Sequence, residues 1–237
     1  MRIRLIDPSH RLSQALVRLA RRLKIRDTLY LTPLQTLRSR VAIIVANGSL
    51  DNQVALLLAH IFNGSEYEPI DIMFPQYKRI SSFPYIHRYV ERGYEVVLLL
   101  LDQEIDDLKN IYREFKSKVH GRLESMKVDS SVNNRFAKAV LSTLRGRLHV
   151  LLVINGLDDA RFTKHCIEDH LIVIAESMGK VRLGAEEVDT KSLWLSLSKR
   201  DQLDEFEHIK REGEDLVRRV FPQHVKAFEW IKRYLTS

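Results

Sequence analysis

The chain has 237 residues, 45% apolar and 29% charged, enough for a sizeable core in one large or two small domains. Its single cysteine, Cys166, excludes an internal disulfide and a multi-cysteine metal centre, and suits a reducing cytoplasm. Of the net charge of +7, the first 40 residues hold ten Lys or Arg against Asp7 and Asp27, while the rest holds 28 bases against 29 acids.

Taken in chain order, residues 9–26 predict an amphipathic helix. Ser9 is the expected cap, Leu12, Leu16, Leu19 and Leu23 form the apolar stripe, and Arg11, Arg18, Arg21 and Arg22 lie largely off it. A localised basic element of this kind suits a polyanion, and the four arginines are the candidate nucleic-acid contacts. Residues 41–46 predict a strand, Asn47-Gly48-Ser49 a turn, 50–62 a helix and 70–74 a second strand. A helix over 85–92 leads to a third strand, 95–101, whose unbroken aliphatic run reads as buried on both faces of a parallel sheet. Helices are expected over 105–123 and 131–144, a fourth strand over 148–154 and a long helix over 162–178. Beyond Gly179 the chain is polar and helix-like over 192–199, 202–220 and 223–235. The longest aliphatic run falls far short of the roughly 20 residues that span a bilayer. The charged N-terminus lacks the apolar stretch of a secretory signal, so the expected location is cytoplasmic.

Four strands alternating with helices predict an α/β fold: a mainly parallel four-stranded sheet with helices on both faces. The expected division is a basic N-terminal segment, 1–40, an α/β domain, 41–180, and a C-terminal helical appendage, 181–237.

Three strand ends carry the candidate chemistry, because ligands of open α/β sheets bind beyond the carboxyl ends of the strands. Asn47, Gly48 and Ser49 lead into a helix whose free N–H groups favour a phosphate, with Asp51 one turn on. Asp102, Glu104, Asp106 and Asp107 follow the third strand, and Asp102, Glu104 and Asp106 are candidate ligands for Mg²⁺, which takes carboxylate oxygens. Asn155-Gly156 ends the fourth strand, followed by Asp158, Asp159 and Arg161. Further on, His165, Cys166, Glu168, Asp169 and His170 share one helix, too few ligands for zinc without help from elsewhere.

The segments VAIIVANGSLD and VVLLLLDQEIDD resemble the two motifs of the Toprim domain of topoisomerases, bacterial-type primases and certain nucleases, and HCIEDHLIVIAE is similar to a segment of uncharacterised archaeal proteins with a Toprim-like domain. The resemblance covers roughly residues 40–180. It implies Mg²⁺ bound by acids, a nucleic-acid partner and phosphodiester chemistry at Asp102, Glu104 and Asp51. Two positions depart from the family pattern: Asn47 stands where a glutamate is expected, and Glu104 where the second aspartate of Asp-x-Asp is expected. An amide exchanges no proton near neutral pH, so either another acid such as Asp51 substitutes or the domain no longer cuts and rejoins strands. The resulting expectation is a Toprim-like protein that engages nucleic acid, with Mg²⁺-dependent phosphodiester hydrolysis. The alternatives are an inactive Toprim-like module that binds a protein or nucleic-acid partner, or a small-nucleotide binder.

Overall fold

The computed structural model describes residues 1–30, 39–45, 48–62, 69–74 and 77–236. In chain order they form β1 (Ile3–Leu5), α1 (Arg11–Arg22), β2 (Leu29–Tyr30), β3 (Val41–Val45), α2 (Ser49–Ile61), β4 (Ile70–Met73), α3 (Arg88–Glu91), β5 (Val96–Asp102) and α4 (Leu108–Lys118). There follow β6 (Leu123–Asp129), β7 (Phe136–Thr143), β8 (Gly146–Asn155), α5 (Ile167–Ser177), α6 (Thr190–Ser196), α7 (Lys199–Glu212), α8 (Glu214–Val220) and α9 (Pro222–Thr236). A 3-10 segment, Arg79–Tyr85, precedes α3.

Strand β5 organises the molecule. It is buried along its whole length, and its side chains divide between two apolar clusters: Val96, Leu98 and Leu100 in one, Val97, Leu99 and Leu101 in the other. Side chains alternate faces along a strand, so an unbroken aliphatic run demands cover on both sides. Leucines of α1 and α2, with Phe228 of α9, cover the first face; Ile111 and Phe115 of α4, with Phe83 and Val90, cover the second.

The fold is α/β, but the sheet has eight strands in the order β2-β1-β4-β3-β5-β8-β7-β6, not four. It is parallel from β2 to β8 and antiparallel through β7 and β6, so the expected mainly parallel four-stranded sheet is corrected to a larger mixed one. The four expected strands are β3, β4, β5 and β8. The extra strands escape the sequence for separate reasons: β1 and β2 have only three and two residues, too few to show a period, and β6 is largely half-exposed and polar.

Strand β7 replaces the helix expected over 131–144. Its alanines suit a helix, yet Leu144 and Arg145 make a two-residue link that returns the chain as β8, with Thr143 paired to Gly146. Gly146, expected to stop a helix, begins β8 with φ +129°, a backbone open to glycine.

Other boundaries shift. Asp107 caps α4 by accepting from the Lys109 N–H at 3.1 Å, so that helix starts after the acidic loop. His10, not Ser9, caps α1; the Ser9 amide and hydroxyl both turn to Asp7. The helix expected over 162–178 begins only at Ile167, because His165 is held in a bridge to Glu104. Gly213, at φ +64°, separates α7 from α8.

Residues 1–30 supply two strands of the sheet, and Leu16, Leu19 and Leu23 share an apolar cluster with Trp194, Phe206 and Phe228 of the C-terminal helices. Among the described residues, no helix is long and apolar enough to cross a membrane.

Candidate functional site

Asp102 is the last residue of β5 and lies in register with Asn155, the last residue of β8. Asp51 stands in the first turn of α2, just after β3. Because β3, β5 and β8 run parallel side by side, their ends fall on one rim of the sheet. There Asn155 donates through Nδ2 to Oδ1 of Asp51 at 2.5 Å and to Oδ1 of Asp102 at 2.8 Å. One amide thus joins two carboxylates that lie 104 and 53 residues before it.

The amide is itself oriented. Its Oδ1 lies 2.9 Å from Nε2 of His224, which must donate there, since the amide oxygen only accepts. Burial holds His224 neutral by pushing its pKa well below the ordinary value. Neighbouring His170 is pushed down to about 4 by burial; its Nδ1 lies against the Val220 carbonyl, and Nε2 accepts from the Gly156 N–H at 3.2 Å. Imidazoles from α5 and α9 therefore fix the end of β8. The turn leaving β8 requires glycine at 156: φ is +111°, and a Cβ there would lie 2.4 Å from the Cβ of His165.

Asp51, Asp102 and Glu168 line a cavity of about 290 Å³, rimmed by Gly48, Lys191 and Lys199. The Ile167 N–H, at the start of α5, donates to Asp102 at 3.2 Å. The two aspartates are 2% and 6% exposed, and Glu168 is 8% exposed. Burial raises the pKa of Asp102 to about 6; the Asn155 hydrogen bond opposes the rise and the Glu168 charge adds to it. Asp51 is raised well above the carboxylate range, first by burial and then by the charge of Asp102. Carboxylates this close resist joint ionisation, so a proton or a cation belongs between them.

Of the expected site residues, Asp51 and Asp102 are brought together, with Gly48 on the rim of their cavity. Ser49 is the first residue of α2, and Asn47 lies outside the described residues. Glu104 and Asp106 are not brought to the cavity: both turn to Arg79, at 3.0 and 2.7 Å. Glu104 has φ +53° and exchanges backbone hydrogen bonds with His165, so the chain bends away directly after Asp102. Arg11, Arg18, Arg21 and Arg22 are exposed along α1.

Cys166 and Asp169 serve the scaffold. Asp169 accepts from Thr190 Oγ1 at 2.6 Å and from the Leu157 N–H at 3.2 Å, tying the loop after β8 to α5 and α6. The sequence grouped Glu168 with His165 and Cys166 rather than with Asp51 and Asp102, and Lys191 at the site and His224 behind it were missed. Glu168 was visible in the acidic start of α5; Lys191 and His224 gave no signal in the sequence.

Among the described residues, no three acid, imidazole or thiol groups gather into a ready metal cage. Two hard carboxylates beside an open cavity nevertheless suit Mg²⁺, which binds through one or two carboxylates and completes its shell with water and substrate phosphate. Compared with protein-family models, with curated proteins and with solved structures, the chain matches none.

Proposed function

We propose that the chain is a Toprim-like protein that engages nucleic acid and hydrolyses phosphodiester bonds at the Asp51–Asp102 cavity with Mg²⁺. The observation that carries this reading is the meeting of Asp51 and Asp102 under the single amide of Asn155, at the carboxyl ends of parallel strands. Asp51 and Asp102 would hold the ion, with Glu168 beside them. Bound there, Mg²⁺ would neutralise charge developing on the phosphate oxygens.

The chain's own groups account for the rest. Lys191 and Lys199 are exposed at the rim, where they attract a phosphate. Burial and then the Asp102 charge oppose ionisation of Asp51, and a bound cation would offset that cost. Asp51 would thus supply a carboxylate to the ion where position 47 carries an amide. As a water oxygen bonds to phosphorus and the ester P–O bond breaks, the attacking water releases a proton to solvent and the leaving oxygen takes one from solvent. The arginines of α1 add sequence-independent affinity for the phosphate backbone.

The test is cleavage of labelled single- and double-stranded oligonucleotides with Mg²⁺ or Mn²⁺. The expected result is cleavage by the native chain and a loss of roughly 100-fold or more in Asp51→Asn and in Asp102→Asn. Asn47 in place of glutamate favours a second reading, a binding module without catalysis. That reading takes over if the native chain binds the strands in a salt-dependent way and cuts none.

A further inference from the structure

A second cavity, of about 360 Å³, opens at the ends of β1 and β4, where Ile6 and Asp7 follow β1 and Phe74 follows β4. Its walls include five aromatic or imidazole rings and two arginines. His10 stacks on Phe74 with ring centroids 4.7 Å apart and planes 17° apart. Tyr77 stacks on Tyr85 at 4.3 Å and 9°. The Arg88 guanidinium lies over Tyr85, 4.8 Å from its centroid, and Arg92 lies over Tyr89 at 5.8 Å.

Arg88, Tyr85 and Tyr77 therefore make a column of stacked planar groups. Tyr77, at 42% exposed, ends it, and no other aromatic ring among the described residues covers its second face. A flat, electron-rich ring continues such a column, and every nucleobase has the π-face to do so. Arg88 and Arg92 are exposed and hold no ion pair among the described residues, which leaves them for a phosphate. Asp7 accepts from Ser9 and His10 through Oδ1 alone, so its Oδ2 remains to accept from a ring amine.

We propose that this cavity seats one nucleobase of a strand, stacked on Tyr77, with a neighbouring phosphate of that strand met by Arg88 and Arg92. The proposal rests on the nucleic-acid reading only for the source of the base, a strand rather than a free nucleotide.

The test compares binding of three probes to the full chain without divalent ions: labelled oligothymidylate, an abasic strand of the same length, and thymidine monophosphate. Each is measured on the native chain, on Tyr77→Leu and on Arg88→Gln, with unfolding midpoints to confirm folding. Oligothymidylate is expected to lose roughly 5- to 150-fold in affinity in Tyr77→Leu, while the abasic strand binds native and variant alike. Should Tyr77→Leu not fold, the exposed Arg88→Gln is expected to weaken thymidylate binding in its place. Equal binding of the thymidine and abasic strands by the native chain would overturn the base site and leave the strand reading standing. Binding of the monophosphate alone, lost in Tyr77→Leu, would uphold the base site and remove the strand. If no probe binds, both fall.

Discussion

Asn155 offers two amide hydrogens to two carboxylates, and that arrangement sets the electrostatics of the site. Both acids have folded pKa values above the ordinary range, so the folded chain keeps protons that the unfolded chain releases above about pH 4. Stability is therefore lost as pH rises, for Asp102 through about 6. Asp102→Asn removes that penalty and keeps an oxygen for Asn155 and for the Ile167 N–H. Its gain over the native chain is expected to be small at pH 4 and to level above the folded value at up to about 3 kcal/mol, several degrees of Tm. Unfolding of both chains by urea at pH 4, 6 and 8 checks it, and a variant less stable than the native chain at pH 8 would count against the shift. Asp51 and Asp102 were legible in the sequence because each sits directly after an aliphatic strand, where chemistry gathers. Glu104 misled because two residues along an extended chain share a face, whereas its left-handed backbone is fixed by His165, 61 positions on, which no local pattern records.

Among the elements, α1 has one apolar and one basic face. Leu16 is fully buried, and Arg18 on the same helix is exposed. Leu16→Ala is expected to destabilise by about 2–5 kcal/mol. Arg18→Ala should alter stability by about 0.5 kcal/mol or less and lower the salt slope of oligonucleotide binding by roughly 0.7–0.9. Denaturant unfolding beside binding at several ionic strengths separates the two effects; an unchanged slope would remove α1 from the interface. The leucine spacing made α1 legible, and unbroken aliphatic runs revealed β3 and β5. Strand β7 was not, because its period of two is blurred by alanines and its identity depends on β6 and β8 beside it.

On the scale of the whole molecule, both cavities open at carboxyl ends of the parallel strands, and the basic helix α1 packs beside α2, whose first turn carries Asp51. The arginines of α1 therefore stand in the same helical layer as the acidic site, so a polyanion of the proposed kind would approach and react on one side of the sheet. The extent of that sheet was the least legible feature. Its outer strands are short or polar, and their pairing is decided by neighbours rather than by their own residues. The proposed chemistry requires Asp51 and Asp102 to act as one coupled pair that accepts a divalent cation. Carbon-13 NMR titration of the aspartate carboxyl groups, with and without Mg²⁺, measures this directly. Without the ion, both resonances should titrate above the ordinary carboxylate range and respond to each other's substitution; with it, both should move back toward that range. Two independent titrations near pH 4, indifferent to Mg²⁺, would contradict the account.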